Sequence, residues 1–246
     1  MANESLLITG ASSDIGLAFA RRVLSQPDGP VVLAHSHTGE ARVQGLAEEF
    51  EDRVHLLKAD FHDAAAIKTM ASEILANFGA PTGVVHLPAL RLRYERFTKF
   101  DWERFDLDMA VQVRSAGLLL QLLLPRMSKL PRSKVLFVLS SVTHGMPPKF
   151  MSMYTVVKYA QLGLMRALAA EYASTGVRVN AISPGMVETQ FLQEIAEVAV
   201  TMSAGSHPLG RNAVPDDLLG AMEFLLSAGA DYITGVDLPV TGGSGV

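Results

Sequence analysis

Short apolar runs alternate with helix-length segments from one end of the chain to the other, and this alternation limits the fold more than any other feature. Runs suited to buried strands are Leu6–Thr9, Val31–Ala34, Val54–Leu57, Gly83–Leu87, Val135–Leu139, Val177–Ile182 and Val236–Val240. Between them lie helical patterns over Asp14–Ser25, Thr38–Glu51, Asp63–Phe78, Trp102–Lys129, Met153–Ser174 and Pro215–Ser227. Near-continuous Val, Ile and Leu in a strand means burial on both faces, as in a parallel sheet covered by helices. The pattern predicts the α/β class: a single doubly wound, Rossmann-type domain over residues 1–246, with helices on both faces of the sheet. No linker, low-complexity stretch or internal repeat interrupts it.

Composition narrows the function. With no cysteine, disulfides, thiolate metal sites and a cysteine nucleophile are excluded. Hydrophobic residues make up 49% and charged residues 19%, and the net charge is −4, a balance unlike that of nucleic-acid binders. No basic leader precedes the first apolar run, and Ala116–Leu124 is about half a membrane span, so a cytoplasmic protein without membrane partners is expected. The histidines show no helical zinc spacing, and no catalytic metal is expected.

The first strand runs through Thr9-Gly10-Ala11-Ser12-Ser13-Asp14-Ile15-Gly16 directly into a helix. Gly10 permits a tight turn, Gly16 allows close helix–strand packing, and the helix N-terminus offers N–H groups to a pyrophosphate. Asp14 reads as the helix N-cap. Asp60, followed by Phe61, lies at the carboxyl edge of the third strand, where the adenine half of a dinucleotide would sit. The second strand ends in His35-Ser36-His37, with no acid to hold a ribose 2′-hydroxyl, which favours NADP(H) and leaves NAD(H) as the alternative.

Tyr154 and Lys158 are four residues apart and share a helical face. A phenol titrates near pH ~10 and is a slow acid at neutrality, but a neighbouring ammonium favours the phenolate. Such a phenol can protonate an alkoxide. Ser141, following Ser140 at the end of a strand, could orient a carbonyl oxygen.

Taken together, Thr9–Gly16, Asp60, Ser141, Tyr154-x-x-x-Lys158, Arg178–Gly185, Pro208–Arg211, Tyr232–Gly235 and Gly242-Gly243 resemble the short-chain dehydrogenases/reductases along the whole chain. Within that family the chain looks most similar to beta-ketoacyl-[acyl-carrier-protein] reductases. The resemblance implies seven parallel strands, a homotetramer or dimer, and catalysis by Ser141, Tyr154 and Lys158, with Lys158 also on the nicotinamide ribose. It implies that Pro184–Thr189 lies against the nicotinamide, with Gly185, Val187 and Thr189 among the contacts. Three departures stand out. His86-Leu87-Pro88-Ala89 replaces Asn-Asn-Ala-Gly beside the cofactor, Asp14 replaces a glycine, and Gln112 replaces the catalytic asparagine. In the family that asparagine anchors a water relaying protons from the lysine, a role expected here of the Gln112 amide.

Loops after Ser141 and Gly185, the latter continuing to Ala204, are rich in Met, Phe and Leu and suit an apolar acyl chain or an interface. Two basic clusters, Arg91/Arg93/Arg96/Lys99 and Arg126/Lys129/Arg132/Lys134, could steer an acidic carrier protein or be plain solvated surface. The expectation is an NADPH-dependent reductase of small-molecule or carrier-bound carbonyls in fatty-acid or specialised polyketide metabolism. A dehydrogenase of small alcohols, sugars or steroids, and a non-catalytic NAD(P) binder, are the alternatives.

Overall fold

A computed structural model describes residues 4–244. Among these, seven strands form one parallel sheet: β1 (Ser5–Thr9), β2 (Val31–Ser36), β3 (Val54–Lys58), β4 (Gly83–His86), β5 (Ser133–Val138), β6 (Val177–Pro184) and β7 (Asp237–Val240). Their order is β3-β2-β1-β4-β5-β6-β7, every pair parallel. The direction of winding reverses between β1 and β4, so the connections leaving these strands part and leave a crevice at their carboxyl ends.

Alternate strand residues feed opposite cores. Leu7, Val84, Val135 and Phe137 pack with α3 (Ala64–Asn77), α5 (Ser115–Met127) and α6 (Ser152–Glu171). Leu6, Ile8, Val85 and Leu136 pack with α1 (Asp14–Leu24), α2 (Glu40–Phe50) and α8 (Asp216–Leu226). Double coverage is why the strands read as unbroken apolar runs.

Two expectations change. The single helix over Trp102–Lys129 is two, α4 (Trp102–Met109) and α5, joined by a π turn over Ala110–Arg114. Within that turn the Ser115 N–H reaches back to the Ala110 carbonyl. Residues taken as a pocket loop contain α7 (Glu197–Ser206), which has no buried residue. The stretch Trp102–Met127 is long and apolar enough to cross a membrane, but Leu119, Leu120, Leu123 and Leu124 are spent on the sheet.

Helix α1 buries Gly16, Phe19, Ala20, Val23 and Leu24, one face at helical spacing. Gly16 is where it touches the sheet: a Cβ there would lie 2.7 Å from the Gly10 carbonyl oxygen and 2.8 Å from Ala11 Cα. Gly16→Ala should therefore destabilise the fold by about 1–3 kcal/mol, since both clashing partners are backbone. Gly45→Ala, inside α2 with no atom near its would-be Cβ, should stabilise it by about 0.5–1 kcal/mol. Denaturant midpoints that shifted alike for both variants would refute the packing account.

Candidate active site

The crevice is floored by the turn leaving β1. Gly10 adopts φ +71°, and a Cβ on it would meet the Pro88 nitrogen at 3.2 Å. The N-cap of α1 is Ser13, whose Oγ accepts from the Gly16 N–H at 3.1 Å, and not Asp14 as the sequence led us to expect. The first-turn N–H groups of Asp14 and Ile15 have no intrahelical acceptor and mark the anion site. Asp14 occupies the first helical turn with its carboxylate committed elsewhere. It accepts from Arg42 Nη2 at 2.5 Å and from the Gln190 N–H at 2.6 Å. Arg42, on α2, also donates to the Ser12 carbonyl at 2.7 Å. A carboxylate beside a pyrophosphate would repel it, and the guanidinium cancels that charge.

At the end of β2, His35 is buried and stacked on Phe61 with centroids 4.1 Å apart. Its Nδ1 lies 3.2 Å from the Gly10 N–H and its Nε2 lies 3.0 Å from the Ala59 carbonyl. A carbonyl can only accept, so Nε2 carries the hydrogen and Nδ1 accepts. Burial pushes the ring down to about 4, so it stays neutral. Ser36 is buried as well, whereas His37 is exposed, 3.8 Å from Asp60 Oδ2. Asp60 accepts from the His62 N–H, and the N-cap of α3 is Asp63. Phe61 continues the stack towards His86, 6.2 Å away.

His86 ends β4, fully buried and pushed down to about 3 by that burial. Its Nε2 donates to the Gln112 carbonyl at 3.1 Å, and its Nδ1 lies 3.0 Å from Thr9 Oγ1. Leu87 donates its N–H to the Thr9 carbonyl, bringing Leu87, Pro88 and Ala89 over the Gly10 turn. From the other side comes the segment after β6. Gly185 bonds the Val240 carbonyl, Val187 pairs with Ala213, and Thr189 bonds the Val187 carbonyl, before Gln190 reaches Asp14. Thus Pro184–Thr189 spans the crevice from the sheet edge to the phosphate turn. Open N–H groups, compensated charge and the Gly10 and Gly16 cradle fit a dinucleotide.

Tyr154 and Lys158 sit in the first turns of α6, with Lys158 Nζ 5.7 Å from the Tyr154 ring centroid. Their titration departs from the expected lowering of the phenol. Burial pushes Tyr154 up to about 12, opposed by a hydrogen bond from Ser140, while Asp108 adds to the rise. Burial also pushes Lys158 down to about 8, opposed by Asp108. Ser140 is buried, its Oγ accepting from the Val142 N–H, and Ser141 is half-buried at the start of the following 3-10 turn.

The amide of Gln112 is engaged at its nitrogen end, and its Oε1 is buried without a partner. Its Nε2 donates to Asp108 Oδ1 at 2.7 Å, and it is the Gln112 main-chain carbonyl that faces α6. Asp108 is held above the usual carboxylate range, mainly by burial. Beside Tyr154 a pocket opens between Leu90, Leu92, Phe150, Met151 and Met153, with Arg91, Arg93, Arg104, Glu95 and Asp108 at its polar side. Leu92, Val142, Met151, Leu192 and Ile195 form a small core that packs against Tyr154 and Phe191. Three of the eight cations in the two basic clusters have acidic partners. Arg93 bonds Glu194, and Arg132 and Lys134 both engage Asp231. Arg42, Asp108 and Gln161 were not singled out from sequence, since each acts through a partner far along the chain.

A family model described as enoyl-(acyl carrier protein) reductase matches residues 10–244. The uncharacterized oxidoreductase YmfI of Bacillus subtilis is 30% identical over 98% of both chains. The L-rhamnose 1-dehydrogenase (NAD(P)(+)) of Azotobacter vinelandii is 29% identical over 98% of this chain and 96% of its own. The 3-ketoacyl-(acyl-carrier-protein) reductase of Brucella melitensis, solved in complex with NADH, superposes with a TM-score of 0.89 at 29% identity, over 99% of this chain and 98% of that one. With the sheet order, the glycine turn and the Tyr154–Lys158 pair in place, these matches show that the chain belongs to the short-chain dehydrogenase/reductase family of oxidoreductases.

Proposed function

We propose that the protein is an NADP(H)-dependent carbonyl reductase acting on β-ketoacyl substrates, free or carried by an acyl carrier protein, in fatty-acid or specialised polyketide metabolism. The observation that carries this reading is Tyr154, backed by Lys158, at the edge of a Leu-, Met- and Phe-lined pocket beside the dinucleotide crevice. Bound there, a nicotinamide supplies or takes up hydride. Tyr154 Oη donates a proton to the substrate oxygen as charge builds on it, and a serine hydroxyl at positions 140–141 orients that oxygen. Lys158 stabilises the resulting phenolate. Arg91, Arg93 and Arg104 give the pocket rim a cationic side for a phosphopantetheine-linked substrate. A dehydrogenase of polyhydroxy substrates is the second reading, favoured by Asp108, Glu95 and Arg104 along the same pocket.

NADPH is preferred over NADH because His35 has both ring nitrogens engaged, no carboxylate ends β2, and Arg42 stands over Ser12. We read the protein as cytoplasmic. We further read it as a homotetramer, with a dimer as the alternative, because Val156 and Tyr159 on α6 and Leu122 on α5 leave an apolar strip exposed.

Three experiments test this. Tyr154→Phe should lower kcat for ethyl acetoacetate reduction roughly 100- to 10,000-fold while leaving the Kd for NADPH within about twofold; near-normal turnover would remove the tyrosine from the chemistry. Ser140→Ala and Ser141→Ala identify the orienting hydroxyl, and the larger loss, roughly tenfold or more, is expected from position 141, which the family pattern assigns. Fluorescence titration should show NADPH binding more tightly than NADH. Arg42→Ala should erase most of that difference, and His37→Asp, at an exposed position where a carboxylate would repel the 2′-phosphate, should reverse it. Tighter NADH binding to the unaltered protein would overturn the cofactor assignment.

A further inference from the structure

Helix α6, the π turn and β4 converge on one backbone atom, the carbonyl oxygen of Gln112. The π turn over Ala110–Arg114 carries this carbonyl. The oxygen accepts from His86 Nε2 at 3.1 Å and from Gln161 Nε2 at 3.0 Å. The tautomer of His86 is fixed by its facing a carbonyl, so both donors are real N–H groups. A carbonyl has two lone pairs, and both are taken. The other end of the Gln161 amide, Oε1, accepts from Lys158 Nζ at 3.0 Å, while Nζ also donates to the Val138 carbonyl at 3.1 Å. Gln161 is 1% exposed and Lys158 3%. Lys158 is thus joined to the Gln112 carbonyl directly through a side chain, where the family pattern implied a water.

We propose that Gln161 is a positioning residue that takes the place of the relay water: its amide clamps Lys158 to the Gln112 carbonyl, and the lysine exchanges protons through its face towards the crevice instead. This rests on the reading of Tyr154 and Lys158 as the reductase pair. A side-chain amide accepts at oxygen and donates at nitrogen but hands on no proton while it remains an amide, so the path through Gln112 is closed. The charged and titratable groups facing Lys158 are Asp108 from α4, the neutral His86 from β4 and Tyr154 from its own helix. From β5 the lysine meets the Val138 carbonyl. Asp108 and Gln161 Oε1 favour the ammonium, and burial opposes it.

The test uses the full chain with lysine labelled at Cε with carbon-13. The Lys158 resonance is assigned from Lys158→Met and its titration midpoint is read directly, alongside kcat for ethyl acetoacetate with NADPH. Gln161→Met keeps the volume but removes the acceptor. It should lower the midpoint by about one to two pH units, the worth of a hydrogen bond to a charged group, and lower kcat roughly tenfold or more. Gln161→Ala opens polar space for one or two waters between Nζ and the carbonyl. It should hold the midpoint within about half a pH unit and keep kcat within about threefold, because water restores the bridge. An ordinary packing residue gives the reverse order, since alanine leaves the larger void. Alanine worse than methionine, or an unchanged midpoint in methionine, overturns the proposal. Should the methionine variant fail to fold, Gln161→Glu decides: a carboxylate against the ammonium must raise the midpoint, and no rise overturns the contact. A wild-type protein inactive on the ketoester defeats the reductase reading alone, because the midpoints are read without turnover.

Discussion

The Gln112 carbonyl is the joint on which the active site is assembled. Two residues from separate elements, His86 from β4 and Gln161 from α6, satisfy a backbone acceptor carried by a third, the π turn. A buried unpaired carbonyl would cost about 1–3 kcal/mol, so the turn and its two donors are held in place together. Through His86 the joint extends to Thr9 at the end of β1, and through Gln161 to Lys158. The phosphate turn and the proton-handling pair are therefore fixed relative to one another by one buried polar network. Such networks give a site its rigidity when every member is satisfied.

The fold was legible because its signal is redundant. Strands β1, β2, β4, β5 and β6 are buried on both faces, so Val31–Ala34 or Val177–Ile182 announce themselves without reference to any neighbour, and β1 with its glycine turn fixes where the crevice lies. The helix break at Ala110–Arg114 was not legible. Its residues continue the apolar character of α5, and the extra residue of a π turn changes hydrogen bonding without changing composition. Helix α7 was missed for the opposite reason: it buries nothing, so it carries no amphipathic stripe.

Within the site, the pair proposed to act on a ligand, Tyr154 and Lys158, could be found from local spacing. Residues that act through another residue could not. Arg42 lies 28 positions from Asp14 and takes its meaning from that pairing, and Gln161 is an ordinary-looking helix residue until its two ends are traced to Lys158 and Gln112. Ser140 and Ser141 are adjacent where the chain leaves β5 for the 3-10 turn, and a spacing argument from Tyr154 does not choose between them.

The three departures from the family pattern share a physical logic. Asp14 brings a negative charge to an anion site, and Arg42 neutralises it. His86 brings a bulky ring into the cofactor loop, and it is held neutral, with one nitrogen at Thr9 and the other at Gln112. Gln112 turns its amide to Asp108, and Gln161 fills the place beside Lys158. Arg42 removes the repulsive charge of Asp14 and two partners satisfy the His86 ring, whereas Gln112 keeps its Oε1 buried without a partner. Such pairing protects the fold as well as the site, since a buried unpaired group costs stability wherever it lies, and the altered crevice thereby stays compatible with the sheet that carries it.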